Sequence, residues 1–212
     1  MPRAARIVAP QYPHHVTQRG NRRANVFFGD GDYQQYLIWL GKYAAAANVK
    51  VWAYCLMTNH VHLILVPNDA DGLARLLRPL HAHYSQYVNL QQGWRGHLWE
   101  QRYYSTVLDD DHLTAAVRYV ERNSVRAGLV DRPEEYPWSS ARAHCGLQNC
   151  PVLSQDLPLL GLVRNWSEWL AVGDDQAVAA DLRARTMRGV PCGSAAFMRQ
   201  IEALKQELQG RP

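Results

Sequence analysis

The chain has 212 residues, of which 47% are apolar, enough to bury one core of ordinary domain size with a smaller annex. Its net charge of +4 is mildly basic and does not by itself separate a nucleic-acid binder from other soluble proteins. No stretch reaches the roughly 20 apolar residues of a membrane span, the first residues lack the apolar core of a signal peptide, and Cys55, Cys145, Cys150 and Cys192 show no C-x-x-C spacing; a soluble cytoplasmic protein without zinc knuckle or disulfide scaffold is expected.

The charge is unevenly placed. Arg3, Arg6, Arg19, Arg22 and Arg23 all precede the first acidic residue, Asp30, which is the pattern of either a phosphate-binding arm or a solvated tail. Residues 13–19 alternate weakly and run into Gly20-Asn21, which predicts a short strand and a turn. Asp30 or Asp32 then caps a predicted helix over 32–47, with Tyr36, Leu37, Leu40, Tyr43 and Ala44 on its apolar face. Two strands follow, over 49–57 and 61–66, joined by a tight turn at Thr58-Asn59.

A second helix over 71–91 carries Leu73, Leu76, Leu77, Leu80, Tyr84 and Tyr87 at spacings of three and four, and Gly93 and Gly96 end it. A fourth strand covers 103–108. Asp109-Asp110-Asp111 caps a third helix running to Ala127, where Gly128 stops it; Pro133 and Pro137 keep the chain irregular beyond. The order strand, helix, strand, strand, helix, strand, helix predicts an α+β fold of ferredoxin-like kind, an antiparallel sheet with helices on one face. From 129 to 212 the pattern weakens into a mainly helical extension with Trp138, Trp166 and Trp169 and a last helix over 194–208, packed on the core and not independent of it.

The sharpest chemical feature is His60-Val61-His62. On a strand both imidazoles point to one side, about 6.6 Å apart along it, and can share an ion while Val61 faces away. The neutral ring, dominant at pH 7, is the form that binds metal. His14-His15 and His81-x-His83 lack this property, because adjacent strand residues diverge and so do helical positions two apart.

On the third helix Tyr119 and Asn123 share a face, and an amide oxygen from Asn123 would complete a two-imidazole, one-oxygen set with open positions for water and phosphate. Mg²⁺ or Mn²⁺ suits a phosphodiester at such a site, and Zn²⁺ remains open. Tyr119 is then placed to attack phosphorus, although a phenol, which ordinarily ionises near pH ~10, requires help with the proton, and no general base is named by the sequence. Tyr103 and Tyr104 face opposite ways, so only one of them can approach the ion.

Arg118, Arg122 and Arg126 recur every four residues, and their mutual repulsion is relieved either by a polyanion or by salt bridges to Glu121 or another element. Arg19, Asn21, Arg22, Arg23 and Arg102 extend the candidate groove, with Trp94, Trp99, Tyr103 and Tyr104 as possible stacking surfaces.

Five ordered blocks together resemble the single-tyrosine HUH transposases, and specifically REP-associated tyrosine transposase-like proteins: Gln18-Arg19-Gly20-Asn21-Arg22, Met57-Thr58-Asn59-His60-Val61-His62, Trp99-Glu100-Gln101-Arg102-Tyr103-Tyr104, the segment from Arg118 to Gly128, and Tyr136-Pro137-Trp138-Ser139-Ser140. The resemblance covers roughly residues 10–140. It implies a catalytic domain over 1–128, a ferredoxin-like core, a divalent metal, single-stranded DNA with hairpins as substrate, and cleavage that leaves a 5′-phosphotyrosine and a free 3′-hydroxyl. It carries over His60 and His62 as ligands, Asn123 as a third ligand and Tyr119 as nucleophile, in a monomer or homodimer. Thr58 and Ser124 depart from the family's frequent prolines, and Gly189-Val190-Pro191-Cys192-Gly193-Ser194 departs from its glycine-arginine-proline stretch. Two other readings stay open: a hairpin-binding protein that keeps the fold without turnover, and a phosphodiesterase that uses water on small nucleotides.

Overall fold

The computed structural model describes residues 7–209, so Arg3 and Arg6 of the basic arm lie outside the described residues. Four strands, β1 (His14–Arg19), β2 (Val49–Met57), β3 (His60–Pro67) and β4 (Tyr104–Val107), form a sheet in the order β2-β3-β1-β4 with every neighbouring pair antiparallel. The crossover helices α1 (Asp30–Ala47) and α2 (Gly72–Gln92) connect β1 to β2 and β3 to β4. This is the expected α+β, ferredoxin-like arrangement.

Helices cover both faces of this sheet and not one. Val16, Val61, Leu63 and Leu65 point toward α1 and α2, where Tyr36, Leu40, Leu76, Leu77, Leu80 and Tyr84 complete a core that excludes water. Ala53, Cys55 and Ile64 point the other way, onto Leu113, Ala116, Val117 and Val120 of α3 (Asp110–Glu121). The physical cause is written in β2 and β3, whose near-continuous apolar runs are buried at almost every position, as strands covered on both sides must be.

The third helix is also shorter than its periodicity suggests. Asp109 caps it by accepting from the His112 amide at 3.0 Å, but regular geometry ends at Glu121, and a separate turn, α4 (Asn123–Arg126), follows a bend at Arg122 (φ −86°, ψ 5°). At the break the Tyr119 carbonyl accepts from the Arg126 guanidinium at 2.7 Å. A side chain thus satisfies a carbonyl at the helix end. Gly128, at φ +68°, then turns the chain away, with its amide donating to the Val125 carbonyl at 2.9 Å.

The remaining chain is helical, as expected: α5 (Ala141–His144), α6 (Leu159–Leu162), α7 (Trp166–Ala171), α8 (Gln176–Arg188) and α9 (Ala195–Gln209). It closes both edges of the sheet. The Leu56 amide donates to the Trp138 carbonyl and the Ser140 amide to the Tyr54 carbonyl along β2, while the Cys192 amide donates to the Val107 carbonyl beside β4. Unpaired strand edges, which invite association with other chains, are thereby covered. Helix α8 packs against β4, α3 and β1, and this contact brings the extension to the site described next. All four cysteines are free, and among the described residues no helix is long and apolar enough to cross a membrane.

Candidate active site

Strand register assembles the site. β1 pairs with β3 so that Arg19 lies opposite His60 and Thr17 opposite His62; β4 places Tyr104 opposite Thr17. With side chains alternating, His15, Thr17 and Arg19 share one face with His60, His62 and Tyr104, and the same residues line a cavity of about 620 Å³. Across it stand Tyr119 and Asn123 from α3 and α4, Arg126, and Arg183, Thr186 and Met187 from α8.

The His60 and His62 rings meet edge to face with centroids 5.0 Å apart, and the Tyr119 ring lies 5.6 Å from that of His62. Strand-borne imidazoles and helix-borne phenol therefore converge. His60 Nδ1 is 2.6 Å from Asn59 Oδ1, and the Asn59 amide nitrogen donates to the Arg23 carbonyl at 3.0 Å. With its nitrogen committed there, Asn59 offers His60 only an acceptor. His60 Nδ1 must carry the hydrogen, which leaves Nε2 with a free lone pair.

Every ring in the cluster is uncharged at neutral pH. Burial, then Arg19 and Arg126, holds the His60 pKa down to about 4, and burial with the same Arg126 holds His15 at about 3. His62 is pushed well below the ordinary value by burial first and then by His60 and His15. Tyr119, 4% exposed, is shifted upward by burial, and Arg126 and Arg183 oppose that shift. The Arg126 guanidinium lies 3.9 Å over the phenol ring.

Among the described residues no three His, Cys, Asp or Glu side chains gather as a metal cluster. The donors present nevertheless suit a divalent ion: both Nδ1 atoms are engaged by protein groups, so ligation falls to the two Nε2 atoms, and Asn123 is an amide in the same cavity. Asn123 is 7% exposed; its unpartnered Nδ2 is a donor suited to an acceptor such as a phosphate oxygen, and only its Oδ1 has lone pairs to offer a cation. Two imidazoles and one amide oxygen leave coordination positions open.

The arginine stripe does not act as a unit. Arg118 stacks on Trp169 at 4.4 Å; Arg122 and Arg126 share Asp174, at 3.3 and 2.7 Å, and Arg122 also donates to the Leu170 carbonyl. Salt bridging to another element relieves the repulsion, and of the three only Arg126 lines the cavity. Arg19 and Arg23 line it too. Asn21, Arg22 and Arg23 are exposed on the loop after β1, with Arg22 and Arg23 left-handed at φ 54° and 60°. Gly20 permits that loop, since a Cβ there would sit 2.2 Å from the Ala24 carbonyl oxygen. Arg102 stands elsewhere, at a second cavity of about 220 Å³ with Gln18, Arg78, Trp99 and Tyr103. Of the aromatic platforms, Trp99 is core, its indole donating to the His81 carbonyl at 3.2 Å, whereas Trp94 is exposed beside Phe28. Tyr104 is the one of its pair on the side of His60 and His62.

Sequence reasoning passed over His15, Glu100, Arg183 and Thr186. His15 had a detectable signal: its neighbour His14 turns to the opposite side, and β1 alternation puts His15 on the face of Thr17 and Arg19. The α8 residues had none, because nothing local to 176–188 shows which sheet face it will cover.

The sequence profile of the family described as "Transposase IS200 like" matches residues 9–123, just over half of the chain. A Haemophilus influenzae (strain ATCC 51907 / DSM 11121 / KW20 / Rd) protein, named provisionally as a REP-associated tyrosine transposase, is 24% identical over 99 residues, which cover 42% of this chain and 56% of that protein, less than two thirds of its length. The solved structure of a REP-associated tyrosine transposase bound to a REP hairpin superposes with a TM-score of 0.59 at 19% identity, covering 74% of this chain and 93% of that one, which establishes a common fold. By its sequence blocks, its sheet and the extent of the family match, the chain belongs to the IS200-like transposase family.

Proposed function

We propose that the protein is a metal-dependent nuclease and strand transferase acting on single-stranded DNA at hairpin-bearing repeats, with Tyr119 as nucleophile. One observation carries this reading: the His60–His62 pair and the Tyr119 ring line one cavity, with phenol and imidazole centroids 5.6 Å apart. His60, His62 and Asn123 would hold Mg²⁺ or Mn²⁺, which when bound supplies Lewis-acid polarisation of a phosphoryl oxygen. The transposase relative bound to a REP hairpin supports the choice of substrate.

Tyr119 Oη forms the new bond to phosphorus while the bond from phosphorus to the 3′-oxygen breaks; the phenolic proton leaves Oη, and the departing oxygen takes up a proton to become a 3′-hydroxyl. Arg126 and Arg183 bring positive charge to the phenol and so ease its ionisation against the cost of burial. Arg19 and Arg23, at the mouth of the same cavity, hold the phosphate backbone by charge.

A second reading, hairpin binding without turnover, draws on the near-complete burial of Tyr119. One experiment separates the two. Wild type incubated with hairpin-bearing single-stranded DNA and Mn²⁺ is expected to form a denaturation-resistant adduct, and Tyr119→Phe to bind the same DNA and form none. An adduct retained by Tyr119→Phe moves the chemistry to another tyrosine, Tyr104 first; tight binding without any wild-type adduct establishes the non-catalytic reading.

A further inference from the structure

The family match ends at residue 123, yet α8, more than fifty residues later, reaches the cavity floor through Thr186. Thr186 is 1% exposed, and its hydroxyl lies 2.7 Å from the Leu182 carbonyl one turn back. A carbonyl can only accept, so the single hydroxyl hydrogen lies on that bond; turned elsewhere, it would leave two acceptor oxygens in close contact. The same Oγ1 is 2.8 Å from His15 Nδ1 and can therefore serve His15 only as an acceptor. His15 Nδ1 carries a hydrogen.

His15 is itself buried, 1% exposed, and among the described residues no carboxylate bonds to it. A neutral ring has one hydrogen, so His15 Nε2 is bare. That bare nitrogen lies 2.9 Å from His62 Nδ1, and the two rings stack at 4° with centroids 5.1 Å apart. His62 Nδ1 must be the donor. Its own single hydrogen thus consumed, His62 turns the lone pair of Nε2 to the cavity.

We infer that Thr186 and His15 are positioning residues which lock His62 in the tautomer able to bind an ion, so that a helix outside the family-matched segment sets the ligand capacity of the strand-borne pair. The chain of bonds runs from the His62 ring through His15 and Thr186 to the Leu182 carbonyl, and its direction is imposed at that carbonyl. Groups that donate to or accept from a ligand's second nitrogen commonly change metal affinity by roughly 10–100-fold when removed. Asn59 performs the corresponding task for His60. The inference rests on reading His62 as a ligand, but the tautomer itself is measurable without metal.

Full-length protein labelled with ¹⁵N-histidine, free of metal, is expected to show His62 with hydrogen on Nδ1 and none on Nε2 in long-range proton–nitrogen spectra. Hydrogen on His62 Nε2 in the wild type overturns the inference, whatever the variants do. Thr186→Val removes the acceptor but keeps the shape; His15 should then place its hydrogen on Nε2 and drive His62 into the opposite tautomer. Mn²⁺ affinity, by calorimetry, should fall about 10–100-fold, and Thr186→Ser should restore both readouts. An unchanged tautomer and unchanged Mn²⁺ affinity in a folded Thr186→Val variant would also overturn it. The expected wild-type tautomer together with no Mn²⁺ binding would support the relay while removing the metal reading.

Discussion

The two faces of the same four strands do opposite work. On β3, Val61, Leu63 and Leu65 join a core of aromatic and aliphatic side chains beneath α1 and α2, while His60 and His62, one residue out of phase, look into a polar cavity. The period of two makes this possible, and a one-residue slip would exchange the faces. Rigid packing on the apolar side sets where the imidazoles stand, and burial on the polar side keeps them uncharged. The sharpest way to break the comparison is a reciprocal pair of substitutions. Leu63→Ala, at a fully buried site, should cost about 2–5 kcal/mol in denaturant unfolding. His60→Ala should leave stability nearly unchanged and lower cleavage on the order of 100-fold or more, beyond what loss of a supporting group usually costs. Equal stability losses in the two variants would mean that the faces are not functionally divided.

Buried neutral histidines occur on both sides, and this sharpens the contrast at a smaller scale. His81 packs within the α1–α2 layer, a ring nitrogen 3.1 Å from the Tyr36 hydroxyl, and burial lowers its pKa to about 3. The unfolded chain takes up that proton near pH 6.5 and the folded chain only near 3. Stability contributed by the neutral ring is present above pH 6.5 and falls as the pH drops through that window. Between pH ~7 and ~5 the expected loss from His81 alone is about 2 kcal/mol. His81→Gln should flatten the pH dependence of urea unfolding by that amount; an unaltered slope would assign the acid sensitivity to the other buried rings, His14 away from the cavity and His15, His60 and His62 within it.

Much of the scaffold was legible because its signals are local. Hydrophobic spacing located α1 and α2, the Thr58-Asn59 turn joined β2 to β3, and strand alternation put His60 and His62 together. The face taken by α3 was not read, although unbroken apolar runs such as Leu63-Ile64-Leu65-Val66 already require cover on two sides. The fate of Arg118 and Arg122 was beyond local reading, because Trp169, on which Arg118 stacks, and Asp174, which pairs with Arg122, lie about fifty residues away in segments of weak periodicity. His15 was set aside with His14 as a diverging pair. Divergence is correct, and it is the reason one of the two enters the cavity: the His14 ring accepts from the Ala9 amide at 3.1 Å on the other side.

The smallest expected effect concerns cations at the same end of β1 but on different faces. Gln18 and Arg19 are consecutive; Arg19 lines the cavity of His60 and His62, whereas Gln18 lines the second cavity with Arg78 and the exposed Arg102. Glu100 and Gln101 divide between the two cavities in the same way. A strand crossing this corner would meet Arg102 as a phosphate contact remote from the reacting atoms. Arg102→Ala should therefore weaken binding of single-stranded DNA regardless of its sequence and reduce the slope of log affinity against log salt by about 1, with cleavage of the bound strand unchanged. Arg19→Ala should show a similar change of slope and, in addition, slower cleavage at saturating DNA, because its charge lies opposite His60, beside the proposed ligand pair. Identical cleavage by the two variants at saturation would place both arginines in binding alone and leave the proposed chemistry with Arg126 and Arg183 as its working cations.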